Sequence, residues 1–355
     1  MNTNSFRVKA PAISVIVLNL SVTLPVFASD PVTFSKDIAP IFYEHCVVCH
    51  RPGEVAPMSL LSYKEARPWA KAIAKAVSTE KMPPWSGDSD RLHFQNDNSL
   101  SQDEIDTILA WVESGTKQGK PSDLPTQPEF KEGWILGEPD YVITLDPVTV
   151  PASGEDLFPK QTVVLDLDEP KWVNAIEFLP GDRRVAHHMQ TMYNHAGGDV
   201  RVDTSSQSSA GVLAIWTAGM QPFQFPEGVG RVVLPGARVL VDSHYHPFGE
   251  EAVDQTRIGL HFGEGELKKE VATVTVANMG LRIPPGADAH PEKAFYLFQD
   301  DMKILAFSPH LHVRGKAMRY DLTYPDGRTE TLLDVPQYNY NWQWLYYPTE
   351  PAQVP

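Results

Sequence analysis

The sequence contains very little cysteine, no excess of basic residues and no apolar run long enough for a comfortable membrane span. Only two cysteines, Cys46 and Cys49, occur in 355 residues, which excludes a framework of structural disulfides. The formal charge of −15 at pH 7 argues against nucleic acid or an anionic membrane surface as a partner. The mostly apolar residues 13–24 fall short of the ~20 residues that a membrane-spanning helix needs.

The two cysteines lie together in the string Cys46-Val47-Val48-Cys49-His50. A Cys-x-x-Cys-His run is the attachment site of a c-type haem, in which two thiols bond to the porphyrin and the histidine ligates the iron. The alternative, a thioredoxin-like redox pair, requires a βαβ context that this region lacks. We therefore expect one covalent haem c, held by Cys46, Cys49 and His50.

Residues 1–28 have the features of a secretory signal peptide. A short basic start with Arg7 and Lys9 precedes the apolar residues 13–24, and Ala28 is a small residue at a suitable cleavage position. Cleavage there predicts a periplasmic or secreted protein without membrane attachment, and an uncleaved anchor is the alternative. Haem attachment to Cys-x-x-Cys-His takes place on the oxidising side of the membrane, in agreement with export.

Residues 30–119 are predicted to form a small all-α domain. Helical patterns cover residues 34–45 and 63–79, and Ser101 with Glu104 forms a capping box that begins a third helix. Three helices around Cys-x-x-Cys-His resemble a small class I cytochrome c. The resemblance implies an electron carrier.

The second axial ligand of the haem iron is predicted to be Met82, in the string Lys81-Met82-Pro83-Pro84-Trp85. In small cytochromes c a methionine of a downstream Met-Pro loop ligates the distal side, and its thioether raises the haem potential. Met58 is the competing candidate and His93 is a third. Alternatively, Met82 is a core residue without a role at the iron.

Residues 120–135 form a proline-containing linker, after which the pattern changes to short alternating strands separated by turns. No long helical pattern follows residue 139, and the 31 prolines of the chain suit a loop-rich fold. We expect two successive β-sandwiches, at residues 136–265 and 266–355. The predicted strands cover residues 141–145, 161–167, 172–178, 212–216, 239–246, 257–262, 271–276 and 303–307.

Half of the 12 histidines lie in three clusters of the β region: His187-His188, His244-Tyr245-His246 and His310-Leu311-His312. Residues two apart on a strand face the same side, so a His-x-His pair can chelate one metal ion. Adjacent histidines face opposite sides, so His187 and His188 can share a metal only at a bulge or a strand end. All-imidazole sites suit copper and zinc about equally, and Asp242 leaves open an iron site of two histidines and one carboxylate.

Several short motifs of the β region occur in a specific order. They are Val185-Ala186-His187-His188-Met189, Ala214-Ile215-Trp216, Pro226-Glu227-Gly228-Val229-Gly230, Ser243-His244-Tyr245, Ile283-Pro284-Pro285-Gly286, His310-Leu311-His312 with Gly315-Lys316, and Tyr346-Tyr347-Pro348 with Glu350. In content and order they resemble the copper type II, ascorbate-dependent monooxygenases, which include peptidylglycine α-hydroxylating monooxygenase and dopamine β-monooxygenase. The resemblance covers about residues 137–355.

The resemblance implies two jelly-roll-like sandwiches that each carry one copper and face each other across a cleft. His187, His188 and His244 would hold the electron-transfer copper on the first sandwich. His310 and His312 would supply two of the three ligands to the oxygen-activating copper on the second, and would be the catalytic residues. His246 has no role that the resemblance implies.

The implied reaction is hydroxylation of a C–H bond of a small-molecule or peptide substrate with dioxygen. One oxygen atom becomes the hydroxyl group and the other becomes water, with two electrons supplied by an external reductant. The haem at Cys46, Cys49 and His50 is a built-in candidate donor to the copper centres. The alternative function is a non-catalytic periplasmic copper-binding module attached to an electron-transfer cytochrome c.

Two features depart from the family pattern. The third ligand of the oxygen-activating copper is a methionine that lies downstream of the Tyr-Pro-x-Glu run, and the sequence ends at Pro355, before that point. Met302 and Met318 lie too early to replace it, so we expect an incomplete second sandwich and a C-terminally truncated sequence. The eukaryotic members are rich in disulfides, and the lack of them here suggests a bacterial, periplasmic version.

Overall fold

The computed structural model describes Met1, residues 31–194 and residues 211–355, with residues 32–355 forming one compact unit. Residues 2–28 of the predicted signal peptide lie outside the described residues. Within the described ranges, no helix combines the length and the apolar character needed to cross a membrane. The predicted combination of a small helical part with a predominantly β part is confirmed.

The helical part consists of short elements in the first third of the chain. The helices are α1 (Ala39–His45), α2 (Tyr63–Ala66), α3 (Ala70–Ser78) and α4 (Gln102–Glu113), with a π-helical turn at Phe34–Ile38 and 3-10 turns at Arg67–Trp69 and Pro121–Asp123. Their apolar faces meet in one cluster that includes Phe34, Ile38, Phe42, Ile108 and Trp111.

Local sequence signals account for the ends of these helices. Pro40 occupies the first turn of α1, where a proline costs no intrahelical hydrogen bond. At the start of α4, the Ser101 side chain accepts from the Glu104 amide and the Glu104 side chain accepts from the Ser101 amide, as the capping box predicts. The predicted helix at residues 63–79 forms in pieces, because Pro68 lacks an amide proton and interrupts it with a 3-10 turn.

Fifteen strands are present among the described residues. They are β1 (Tyr141–Thr144), β2 (Val148–Val150), β3 (Lys160–Val164), β4 (Lys171–Leu179), β5 (Ala186–Asn194), β6 (Gly211–Thr217), β7 (Val229–Val233), β8 (Arg238–Tyr245), β9 (Ala252–Asp254), β10 (Arg257–Phe262), β11 (Lys269–Glu270), β12 (Met302–Ile304), β13 (Met318–Thr323), β14 (Thr329–Val335) and β15 (Ala352–Val354).

Two larger sheets dominate the middle of the chain. One has the strand order β1-β10-β4-β7-β11 and the other the order β3-β8-β5-β6. Within β5, buried Met189, Thr191 and Tyr193 alternate with half-buried residues, as expected for a strand with one face in the core. Side chains from both sheets, including Val173 and Val241, form a single hydrophobic cluster, so the two sheets share one core.

The C-terminal part has two small pairings, β12 with β15 and the hairpin of β13 with β14. Their apolar side chains form a separate cluster with Trp85 and Phe94, which lie between α3 and α4. Backbone bridges from Asp88 to Asp334 and from Phe94 to Pro348 extend this contact. Part of the chain near the haem motif therefore packs against the C-terminal strands.

One predicted strand is wrong. Residues 271–276 are rich in valine and threonine, but regular pairing stops at Glu270, at the end of β11. The Val271 amide still donates to the Gly230 carbonyl, and the following residues run on as irregular chain. Strand propensity reflects packing on a pleated surface, so a β-rich composition does not by itself form a strand.

Candidate copper and haem sites

Three histidines converge where β5 and β8 pair, and we call them the first cluster: His187, His188 and His244. The register pairs His188 with His244 and Ala186 with Tyr245, with an irregularity between Ala186 and His188. This bulge lets two adjacent side chains reach the same side of the sheet. The expectation that His187 and His188 come together only at an irregularity is confirmed.

The ring nitrogens of the first cluster are close enough to share one metal ion. His187 Nδ1 lies 3.2 Å from His188 Nδ1, and His188 Nδ1 lies 3.3 Å from His244 Nδ1. Each ring offers one nitrogen within 4.8 Å of the other two. Three convergent imidazoles are a donor set that suits copper or zinc.

Burial keeps His187 and His188 of the first cluster uncharged at neutral pH. Burial, with a smaller contribution from the neighbouring His244, lowers the pKa of His187 to about 4 and that of His188 to about 3. The neutral imidazole is the form that ligates a metal ion. Both rings are therefore available as ligands well below pH 7.

Asp156 and Phe158 contact the first cluster, and neither was expected from the sequence. Asp156 Oδ2 lies 2.7 Å from His244 Nε2, and Phe158 stacks on the His244 ring at a centroid distance of 4.5 Å. Burial raises the pKa of Asp156, but hydrogen bonds from His244 and His246 outweigh it, so the net pKa lies below the ordinary value. Asp156 is therefore a carboxylate at neutral pH.

Two neighbours of His244 lie apart from the first cluster. His246 is exposed, and its Nδ1 lies 2.7 Å from Asp156 Oδ1, which places the carboxylate between His244 and His246. Asp242 Oδ2 is paired with Lys160 Nζ at 2.7 Å. Neither residue joins the three histidines that converge in the described part of the chain.

His310 and His312, which we call the second pair, lie in an irregular segment between β12 and β13. Both residues are exposed, and their ring centroids are 5.2 Å apart. His310 Nδ1 lies 2.7 Å from the Oε1 atom of buried Gln343. Within the described ranges, no third histidine, cysteine or carboxylate joins them in a three-ligand group.

One other group of possible ligands, Glu44, His45 and Glu104, has a structural explanation. The Glu104 carboxylate belongs to the capping box of α4 and accepts from His45 Nε2 at 3.2 Å. The hydrogen bonds of Glu104 therefore stabilise the start of α4.

The Cys-x-x-Cys-His motif forms a tight turn directly after α1. The His50 amide donates to the Cys46 carbonyl at 2.9 Å, and both thiols are free of disulfide bonding. Burial raises the pKa of Cys46 and of Cys49 to about 12, with smaller contributions from nearby acidic groups. This direction is opposite to that of thioredoxin-like redox pairs, whose reactive thiol has a lowered pKa.

The His50 ring has one nitrogen beside a backbone carbonyl oxygen. Its Nδ1 lies 3.2 Å from the Met58 carbonyl oxygen, so an Nδ1–H donor there leaves Nε2 available to ligate iron. Met58 packs against the helical core. Met82 is half-buried in the turn after α3, and His93 is exposed with its carbonyl bonded to the Thr349 amide.

A short route connects the haem motif with the first cluster. Gly219 follows β6, and a Cβ atom built on it would lie 2.7 Å from Cys49 Sγ. The adjacent Ala218 amide donates to the His187 carbonyl at 3.0 Å. Cys49 Sγ therefore lies beside Gly219, whose neighbour Ala218 is hydrogen-bonded to the backbone of His187.

Two stacked tryptophans lie along the same junction. Trp342 and Trp344 have ring planes 13° apart at a centroid distance of 6.5 Å, and Trp342 lies 6.1 Å from the His187 ring. Trp344 packs at 3.7 Å from the Cβ position of Gly219 and donates to the Pro84 carbonyl in the Met82 loop. Aromatic side chains therefore extend from the loop that contains Met82 and Pro84 to the first cluster.

A comparison with protein-family models finds no match to this chain, and a comparison with curated proteins finds none either. The functional assignment therefore depends on the chemistry of the residues described above. Only the spacing of Cys46, Cys49 and His50 and the clustering of histidines were visible in the sequence. The contacts of Asp156, Gly219 and Trp342 depend on tertiary packing.

Proposed function

We propose that the chain is a copper-dependent monooxygenase that hydroxylates a C–H bond with dioxygen, with a fused c-type haem as electron donor. The observation that carries the proposal is the junction between Cys49 and His187. It joins a haem-attachment turn to three convergent imidazoles through Gly219 and Ala218. An electron carrier beside a copper-type donor set would provide the proposed enzyme with electrons.

The first cluster fits copper. Its nitrogens converge from strands that are already paired, and burial holds His187 and His188 neutral. Copper bound there would supply a centre that accepts and donates one electron. His187, His188 and His244 would hold the ion, and the sheet would keep their positions fixed in both oxidation states.

The haem motif fits a covalent haem with His50 as proximal ligand. Cys46 and Cys49 supply the two thiols, and the Met58 carbonyl fixes the His50 tautomer. Met82 is proposed as the second residue that would ligate the haem iron, and its thioether would raise the haem potential.

The second pair is proposed as part of the oxygen-activating copper site. His310 bonds to Gln343 through Nδ1, which leaves its Nε2 free to ligate. Two jelly-roll-like sandwiches are the proposed fold of the β part, supported for the first by the core that its two sheets share. The same proposal implies a periplasmic or secreted protein with a small-molecule or peptide substrate and an external reductant.

Rapid mixing tests the proposal. Haem-loaded protein is reduced without oxygen and mixed with dioxygen, with and without copper, and the haem spectrum reports oxidation. We expect faster haem oxidation in the copper-loaded wild type than in the copper-free protein or in copper-treated His244→Ala. Equal rates in all three samples would rule out a functional connection.

A second candidate function is a copper-binding electron-transfer module without oxygenase activity. It is favoured by one observation, that the described residues bring three ligands together at the first cluster but only two histidines at the second pair. Replacement of His310 and His312 by alanine separates the two functions. Dioxygen-dependent product formation would stop in the variant if the chain is an oxygenase, whereas haem-to-copper electron transfer would continue in both cases.

A further inference from the structure

His244 is held on two sides by a short segment outside the main sheets' strands. Leu157 and Tyr245 exchange backbone hydrogen bonds of 3.0 and 2.9 Å, and the Ser243 amide donates to the Pro159 carbonyl at 3.1 Å. These bonds bracket one antiparallel position, at which Phe158 lies directly opposite His244. The stacking of Phe158 on the imidazole follows from this register.

The same register brings Asp156 to His244. Alternate residues of a strand share a face, so Asp156 lies on the same face as Phe158. It is paired with His246 of the neighbouring strand. Its carboxylate reaches diagonally, with Oδ2 at 2.7 Å from His244 Nε2 and Oδ1 at 2.7 Å from His246 Nδ1. The His244 side chain is only 2% exposed, so the Asp156 carboxylate is the acceptor that its Nε2 faces.

These contacts determine which nitrogen of His244 is free. A neutral imidazole has one N–H donor and one acceptor nitrogen, and a carboxylate selects the tautomer whose N–H points at it. With the proton on Nε2, the lone pair of Nδ1 faces the Nδ1 atom of His188 at 3.3 Å. The ring would then present its ligating nitrogen to the centre of the first cluster.

We propose that Asp156 is a positioning residue for copper, holding His244 as the Nε2–H tautomer with Nδ1 directed into the first cluster. This inference rests on the proposed function for the identity of the metal, but the tautomer itself is a property of the metal-free chain. Carboxylate partners of metal-bound histidines typically contribute 10–100-fold to metal affinity. Phe158 assists by restricting rotation of the ring.

The test combines two measurements on the full chain. Nitrogen-15 NMR of the metal-free protein reports which nitrogen of His244 carries the proton. Titration with copper(II) against a competing chelator gives the affinity of the first cluster, and the electron paramagnetic resonance spectrum reports its ligand geometry. The variants are Asp156→Ala, Asp156→Asn and, as a matched control, Asp242→Asn, which removes a carboxylate of the same strand face paired with Lys160.

We expect the Nε2–H tautomer in the wild type and its loss in Asp156→Ala, with copper(II) bound about 10–100-fold more weakly. Asp156→Asn keeps an acceptor without the charge and should fall between the two, while Asp242→Asn should bind like the wild type. A mere loop-anchoring role would alter stability without changing the tautomer or the copper spectrum.

Two results would overturn the inference: an Nδ1–H tautomer in the wild type, or wild-type copper affinity in folded Asp156→Ala. If the alanine variant does not fold, the wild-type tautomer and the asparagine variant decide the question. A wild type that shows the Nε2–H tautomer but binds no copper would contradict the proposed function and leave the orienting role of Asp156 standing.

Discussion

The first cluster and the second pair differ in how far the fold organises them. His187, His188 and His244 extend from paired strands, and the nitrogens of His188 and His244 lie 3.3 Å apart before any metal binds. His310 and His312 are exposed on an irregular segment. Histidines that cluster in sequence can therefore lie in an ordered site on paired strands or on an exposed irregular segment, depending on the backbone that carries them.

The largest expected effect is the loss of copper from the first cluster in His244→Ala. Removing a direct ligand should weaken copper(II) binding by more than the roughly 10–100-fold that loss of an outer hydrogen-bond partner costs. The matched change His312→Ala, in the second pair, should leave this tighter copper in place. Copper content after dialysis against a chelator measures both variants.

Loss of the tighter copper from His312→Ala, together with its retention in His244→Ala, would contradict the assignment of the tighter site to the first cluster. Circular dichroism of both variants is the control for folding, because His244 is buried and its replacement leaves a cavity.

Acid should destabilise the metal-free protein through the buried first cluster. In the folded protein, mainly burial lowers the pKa of His187 to about 4 and that of His188 to about 3. In the unfolded chain the pKa of histidine is about 6.5. The unfolded chain therefore binds more protons as pH falls below about 6.5, and stability falls by up to ~1.4 kcal/mol per pH unit for each histidine. Above about pH 6.5 the two histidines do not make the stability depend on pH.

The change of stability with pH is measured by chemical denaturation of the metal-free protein. The pH values lie between 7 and 4.5, roughly the range set by these pKa values. His188→Gln should flatten the change of stability with pH, because the amide does not titrate, while His312→Gln at the exposed position is the control. A slope that His188→Gln leaves unchanged would show that other groups cause the acid sensitivity.

A smaller effect is expected at the junction between the haem motif and the first cluster. Gly219 has φ +89, and a Cβ atom there would lie 2.7 Å from Cys49 Sγ, whereas Gly236 has φ +71 with nothing within 4 Å of its Cβ position. Both alanine variants carry the backbone strain of a positive φ, but only Gly219→Ala also overpacks. We expect Gly219→Ala to lower the free energy of unfolding by about 1–3 kcal/mol more than Gly236→Ala.

Thermal and denaturant unfolding of the two glycine variants give this difference directly. Equal losses of stability would mean that Cys49 and Gly219 are not in contact in solution, and the proposed route to His187 would lose its first step.

The smallest effect on stability is expected for Trp342→Leu. Loss of one aromatic contact costs about 0.5–1.5 kcal/mol, so the variant should fold and bind copper at the first cluster. If Trp342 and Trp344 assist electron transfer, copper-dependent oxidation of the haem should nevertheless slow. Rapid mixing compares the variant with the wild type, and an unchanged rate would assign the tryptophans to packing alone.

Much of the fold could be predicted from local signals. The capping box at Ser101 located the start of α4, and alternating patterns located β4 and β10 within one or two residues. There were two exceptions: Pro68 divided one helix, and regular strand pairing stopped before residues 271–276. Propensity describes what a segment can form, while pairing decides whether it forms.

The candidate site was predictable only where residues lie close in sequence. Adjacent residues of a strand face opposite sides, so a shared site for His187 and His188 predicted an irregularity. The pairing of β5 has one between Ala186 and His188. Asp156 lies 88 residues before His244, in a segment without periodic pattern, so only the strand register brings them together. The same holds for Trp342, which reaches His187 through packing of distant segments.

The most direct test of the central claim is the separation between the haem and the first copper. Pulsed electron paramagnetic resonance on protein carrying ferric haem at Cys46 and Cys49 and one copper(II) per chain measures their magnetic interaction. We predict a strong dipolar effect of the haem on the copper signal, which disappears from the tightly bound copper in His244→Ala. A wild-type copper signal that relaxes as if no haem were near would contradict the proposed proximity of the haem and the first cluster.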